Sequence, residues 1–150
     1  MKMDLHSFIE AHQGNFIHIK KPVKLDHVGA LVGEADDTIL FDHIEGYPGF
    51  RLVDQLFANR KAQGRVLGCK PSEVVKRLAQ ILHDGPKPLK IVDDAPCHER
   101  VFTGPDVDLG MLPIVRHTAQ DPYPYATSFV IHRDPETGRL NQMFPRCGVL

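Results

Sequence analysis

Tryptophan is absent from the 150 residues, and all aromatic residues together make up only 7%. A surface that stacks successive nucleobases is therefore not expected. An excess of one charge is missing too. The 18 Lys and Arg stand against 19 Asp and Glu, for a net charge of −1. That balance gives no electrostatic footprint for a nucleic-acid backbone or an anionic membrane. No apolar run approaches the roughly 20 residues that a membrane helix needs. The opening Met1-Lys2-Met3-Asp4 leads into a mixed polar pattern and not into a signal-peptide stretch, so the default compartment is the cytoplasm. Cysteine is scarce as well. Cys69, Cys97 and Cys147 are odd in number, far apart and free of any C-x-x-C spacing. They read as reduced thiols with a packing role.

What is present is ordinary for a globular protein: 42% apolar and 25% charged residues, in a length that can bury one core. Asp4 to His12 predicts a short helix, with Leu5, Phe8 and Ile9 on one face. Either Asp4 or Ser7 can cap it, and Gly14 is its stop. Asn15–Ile19 predicts a strand, Thr38–Phe41 a second and Phe50–Val53 a third, with turn chemistry at Gly46-Tyr47-Pro48-Gly49. Leu56 to Ala62 reads as a helical turn or two. The clearest helix runs from Pro71 to His83, where Val74, Val75, Leu78, Ile81 and Leu82 form one apolar stripe. Lys90-Ile91-Val92 reads as a short strand. The stretch from Asp93 to Pro113, broken by Pro96, Gly104 and Pro105, is the candidate domain boundary. Ala126–His132 then predicts a strand, Asp134–Gly138 a tight connection, and Arg139–Phe144 the antiparallel return. The expected class is α/β (α+β): an α/β layer followed by the start of a β-rich unit. A sheet that begins here has too few strands to close a core, so the C-terminus reads as truncated.

The chemistry legible from spacing alone is limited. None of the nine histidines forms H-E-x-x-H, and no His/Cys set has zinc spacing. Asp36-Asp37, Asp93-Asp94 and Asp106-x-Asp108 could bind a hard cation, but such pairs more often solvate loops or cap helices. Nucleophile-elbow, Walker and dinucleotide glycine patterns are absent. Asn141 and Arg146 stand five residues apart at the end of the hairpin. An Asn oxygen can ligate a cation, and an Arg fork can hold a carboxylate. A polar strand end with a surface Arg is the plainer reading of that spacing.

Several stretches taken together resemble the UbiD family of decarboxylases. Asp4 to Glu10, Gly14 to Ile19 and Pro22-Val23 resemble its opening helix, Gly, strand and Pro-Val. Ile39 to Tyr47 is similar to its next block, and Asp54 to Arg60 to its Asn-Leu-Phe-Gly-Ser-Arg segment. Thr103 to Leu109 and Leu112-Pro113-Ile114 look like its Asp-Leu and Leu-Pro segment. Arg133 to Asn141, ending in Arg146, is the strongest match. The order and spacing of these blocks cover essentially the whole chain.

The resemblance implies an N-terminal α/β domain over residues 1–100. Residues 101–150 would then be the opening strands of a central split β-barrel that binds flavin. It implies prenylated FMN as cofactor, with Mn²⁺ or a similar divalent cation and K⁺ bridging its phosphate to the protein. A flavin prenyltransferase would supply the cofactor. On the matching positions Asn141 is a metal ligand, Gln142, Met143, Phe144, Pro145 and Arg146 line the cofactor, and the Gln142 backbone approaches the potassium. Arg146 matches the Arg of a catalytic Glu-Arg-Glu network, and Thr127 falls in a segment near the active site. The implied substrate is an aromatic or α,β-unsaturated carboxylic acid. Met143 departs from the small residue usual in the family, and Pro145 from an aromatic or small one. Cys147-Gly148 stands where Met-Gln is common. The family's two catalytic glutamates and remaining metal ligands have no counterpart here, so the 150 residues alone are expected to be inactive. They read as one portion of an enzyme. The alternatives are a subunit of a split decarboxylase and a non-catalytic binding or assembly module. A partner chain or a homo-oligomer is compatible with each.

Overall fold

The computed structural model describes residues 4–87, 92–93 and 95–150. Helix α1 (Leu5–His12) starts where Asp4 accepts the Ser7 backbone N–H through its carboxylate at 2.8 Å, so Asp4 is the cap. A 3₁₀ turn over Gln13–Asn15 leads into β1 (Ile17–Ile19). Helix α2 (Leu25–Glu34) follows, then β2 (Ile39–Phe41) and β3 (Leu52–Asp54). These strands form a three-stranded sheet in the order β1-β2-β3. Asn59 caps α3 (Arg60–Leu67), accepting from the Ala62 N–H at 2.9 Å, and Gly68 closes it in the left-handed conformation. A 3₁₀ turn at Pro71–Glu73 opens α4 (Val74–Asp84), where the Glu73 carboxylate reaches back to the Lys70 N–H at 3.1 Å. The expected strand at 90–92 lies outside the described residues but for Val92, which has no regular structure.

One helix was not expected, and two expectations shift. The segment 25–34 is helical although its two glycines weaken that preference, because Val28 and Val32 face inward and are buried. The helix expected over 56–62 begins only at Arg60, after the Asn59 cap. The stripe on α4 buries Val74 completely, yet Val75 and Leu82 are 62% and 82% exposed.

Two compact units alternate along the chain. The first comprises residues 1–19, 35–40 and 53–109. Its core joins Ile9, Phe16 and Leu40, with Phe8 and Val53 packed against them. Beside that core the Arg65 guanidinium grips Asp37 with both terminal nitrogens and donates to Thr38 Oγ1 at 3.0 Å. It also lies 5.6 Å from the centre of the Phe16 ring. Lys61 adds a second cation 3.5 Å from the same carboxylate.

The second unit comprises residues 20–34, 41–52 and 110–150. Val23 bridges Ile44, and α2 meets the backbone at His117 so closely that a Cβ on Gly29 would lie 2.2 Å from the His117 carbonyl oxygen. Only glycine permits that approach. The strands after residue 124 also belong to this unit.

Candidate active-site ribbon

The hairpin expected after residue 125 exists, but each of its arms is broken. The strand expected over 126–132 is split into β4 (Tyr125–Thr127) and β5 (Val130–Arg133). The returning chain forms β6 (Leu140–Met143) and β7 (Arg146–Gly148). β5 pairs antiparallel with β6, and β4 with β7.

Both ladders share one register. Thr127 faces Arg146 in one and Val130 faces Met143 in the other, with no residue inserted between them. Counting inward sets Ser128 opposite Pro145 and Phe129 opposite Phe144. The two phenylalanine rings do meet, edge to face, with centroids 5.0 Å apart. Backbone bonds at the two ends, from Val149 N–H to the Pro124 carbonyl and from Asp134 N–H to the Arg139 carbonyl, fix which pairs exchange hydrogen bonds. Ser128 and Pro145 occupy one such pair, and proline has no N–H to give. Pro145 thus removes one ladder hydrogen bond at the break.

The turn that sets this register is built by Asp134. Its carboxylate accepts the Glu136 and Thr137 N–H groups at 2.8 Å each, which hold its pKa below the usual carboxylate value, the Thr137 bond first. Gly138 supplies the positive φ and donates its N–H back to the Asp134 carbonyl.

Register decides which side chains share a face. Asn141 lies opposite His132, and two residues along Met143 lies opposite Val130. These four point to one side of the β5–β6 ladder, while Gln142 points to the other beside Ile131. Asn141 Oδ1 accepts the Gln142 N–H at 2.9 Å, and an amide oxygen keeps a second lone pair for a cation. On the β4–β7 ladder Arg146 shares its face with Thr127 and Tyr125, and Cys147 takes the opposite face with Ala126. Thr127 and Arg146 form a non-hydrogen-bonded pair, the kind in which side chains come closest. All residues of β6 and β7 are exposed. The run Asn141–Arg146 is therefore divided between faces, with Phe144 spent on Phe129. Spacing alone had not singled out His132, Tyr125 or Gly148, although counting outward from the Asp134 turn pairs each of them.

The other candidate sites dissolve or lie elsewhere. Asp37 is consumed by Arg65 and Lys61, which hold its carboxyl below the ordinary range, chiefly through the Arg65 hydrogen bond. Among the described residues no group of three His, Cys, Asp or Glu side chains could hold a metal. The three cysteines are free thiols, with Cys97 and Cys147 exposed and not packed. A cleft of about 460 Å³ is lined by Val23, Lys24, His27, Leu31 and Glu45, none of them a ribbon residue. Among the described residues no helix is long and apolar enough to cross a membrane.

The family model of the 3-octaprenyl-4-hydroxybenzoate carboxy-lyase Rift-related domain (UbiD) matches residues 90–150, the segment that contains this ribbon. Anhydromevalonate phosphate decarboxylase of Methanosarcina mazei is 25% identical over 134 residues, which are 89% of this chain and 30% of that protein. The apo structure of a 3,4-dihydroxybenzoic acid decarboxylase from Enterobacter cloacae is similar over 98% of this chain and 35% of its own, at 27% identity and a TM-score of 0.81. The Klebsiella pneumoniae 3,4-dihydroxybenzoic acid decarboxylase shares the fold at 23% identity and the same TM-score. The chain thus spans about a third of the length of these relatives. In its fold over nearly its whole length, and in the matched segment that holds its ribbon, the chain is thus similar to UbiD-type decarboxylases.

Proposed function

We propose that these residues carry the metal-ligand and carboxylate-binding edge of an enzyme that removes CO2, reversibly and without net oxidation, from an aromatic or α,β-unsaturated carboxylic acid. The cofactor of this reading is prenylated FMN, held with Mn²⁺ or a similar cation and K⁺ and supplied by a flavin prenyltransferase. The observation that carries it is the likeness over 98% of the chain to a 3,4-dihydroxybenzoic acid decarboxylase, with Asn141 and Arg146 on adjoining strands of one ribbon. On this reading residues 1–100 are the α/β domain, and residues 101–150 open a split β-barrel. The enzyme works in the cytoplasm.

The residues present fit such a group as a partial donor set. Asn141 would offer one hard oxygen to a divalent cation, whose other ligands would have to come from outside these residues. A cation there offsets phosphate charge that is costly to bury. The prenylated flavin, when bound, supplies the electron sink for the pair left on carbon as CO2 departs. Arg146 is always charged and presents a planar fork, so it orients the carboxylate in bidentate fashion. Thr127 stands across the ladder to steady that fork or the second carboxylate oxygen. Glutamates outside these residues, in the same polypeptide or a partner chain, handle the proton.

Native mass spectrometry after production with a source of prenylated FMN tests the reading. The 16.8 kDa species alone is expected without flavin, and the completed enzyme with it. In the holoenzyme Arg146→Ala is expected to lower kcat for a benzoate-type acid about a hundredfold. Undiminished turnover in that variant would remove Arg146 from the chemistry. A flavin-bearing heteromer would identify a split enzyme, and a partner complex that never takes up flavin would identify an assembly module.

A further inference from the structure

We infer that the first unit holds a binding groove for a short oligophosphate, built by α3, the return after it and the polar face of α4. No ribbon residue takes part in it.

Lys61, Gly64 and Arg65 share one face of α3, and Gly68 closes the helix beside them. The chain then folds back sharply. A Cβ on Gly64 would lie 2.7 Å from the Cys69 carbonyl oxygen, so glycine is what lets the return pass. This return carries Lys70 alongside α3. With His12 at the end of α1, these residues line a cleft of about 560 Å³. A neighbouring cleft of about 250 Å³ runs along Lys76, Arg77 and Gln80 of α4. Cys69 and Glu73 line both, so the two clefts adjoin.

The charge in this groove is one-sided. Lys61, Arg65, Lys70, Lys76 and Arg77 line it against Glu73 as the single acid. That acid is occupied, since its carboxylate accepts the Lys70 N–H at 3.1 Å. Behind the wall, the one carboxylate of Asp37 meets both Arg65 and Lys61. Arg65 is fixed there, with its side chain 10% exposed and its Nε buried without a partner among the described residues. Lys61 is 67% exposed, and it can turn to a ligand while Asp37 keeps Arg65. The last carbonyls of α3 would repel an anion, but they are covered. That of Gly64 accepts the Cys69 N–H at 3.0 Å, and that of Arg65 the Gly68 N–H.

Cations spread over two helices cannot all reach one small anion. Residues 73–80 of α4 alone extend about 10 Å. A ligand that uses both clefts carries several negative charges along a short chain, which is the pattern of an oligophosphate. No Phe, Tyr or Trp lines either cleft, so a base attached to the phosphates would find nothing to stack on.

Calorimetry with tripolyphosphate, on the completed enzyme in magnesium-free buffer at low salt, tests this. Tripolyphosphate is expected to bind at least about tenfold tighter than orthophosphate, and to weaken as salt is raised. ATP is expected to match tripolyphosphate, its nucleoside adding nothing. Lys61→Gln and Lys76→Gln, both at exposed positions, should each weaken tripolyphosphate about threefold, and the double variant about tenfold. Lys24→Gln, in the second unit, should leave it unchanged. No binding to the wild type overturns the groove. Binding untouched by the double variant places the anion elsewhere and overturns it as well. ATP bound where tripolyphosphate is not would move recognition to the nucleoside, and orthophosphate bound as tightly as tripolyphosphate would reduce the groove to a single-ion contact. Either result also overturns the inference.

Discussion

β2 and β6 are short strands of similar length, but they are held in place by different means. Ile39, Leu40 and Phe41 of β2 are 2%, 0% and 0% exposed. Leu140 and Met143 of β6 stand 52% and 46% exposed, and Phe144 just after it 75%. β2 is fixed by burial, so its neighbours could change their hydrogen bonding and the strand would stay. The ribbon is fixed by turn chemistry and ladder bonds, and a two-stranded ribbon is marginal on its own in water. The residues proposed for chemistry all lie on the second kind of structure. Groups that must meet a cofactor and an acid cannot also be spent on a core.

The largest effect should come from breaking the buried side of that contrast. Leu40→Ala removes a fully buried side chain that packs with Ile9 and Phe16. A loss of about 3 kcal/mol in urea-unfolding stability is expected. An equal loss from Leu140→Ala in the same chain would show that the ribbon has a core of its own.

Next is the charged lock beside that core. Arg65→Met keeps the stem over Phe16 but strips Asp37 of its bidentate partner, and a loss of about 2 kcal/mol at neutral pH is expected. The pH dependence fixes the cause. Asp37 is held below the ordinary carboxylate range, chiefly by the Arg65 hydrogen bond, so the unfolded chain takes up that proton first as pH falls. Its stabilisation is complete above the unfolded pKa of about 4 and is lost as pH drops through the lower folded value. Stability profiles between neutral and strongly acidic pH should therefore converge for wild type and Arg65→Met at the acid end. Parallel profiles would mean that packing, and not the carboxylate, carries the effect.

The same contrast governs what could be read in the sequence. Elements with a regular apolar pattern announced themselves: α1, β1, β2 and α4 were all legible, although only β2 is buried throughout. Helix α2 did not, because Gly29 and Gly33 mask the spacing of Leu25, Val28 and Val32. The reason for Gly29 is a distant contact with His117 that no local pattern contains. In the ribbon, the Asp134–Gly138 turn was legible and fixed the pairing, so the Thr127–Arg146 and His132–Asn141 pairs were within reach of counting. The break at Pro145 was less evident. Its missing N–H matters only once Ser128 is known to face it. Residue types alone also made Asn141 to Arg146 look like one continuous lining, whereas strand alternation divides them.

Within the ribbon the strongest side-chain coupling should be Phe129 with Phe144. A double-mutant cycle to Ala is expected to return about 1 kcal/mol, the usual value for an edge-to-face pair. A coupling near zero would mean that the ladders, and not the rings, hold the two halves of the ribbon in register.

The smallest effect should come from Pro145→Ala, where two contributions oppose each other. The new N–H can donate to the Ser128 carbonyl across the ladder and join β6 to β7. Restored backbone freedom in the unfolded chain works against it by about 0.4–1 kcal/mol. Net stability should hardly change, so the informative measurement is hydrogen exchange at the new amide of residue 145. Slow exchange there, with slower exchange at its ladder neighbours, would show that proline alone interrupts an otherwise continuous ribbon. Exchange at the rate of an open chain would mean that the bend between Asn141 and Arg146 is imposed by the Phe129–Phe144 packing. The proline would then merely tolerate a geometry that the site requires.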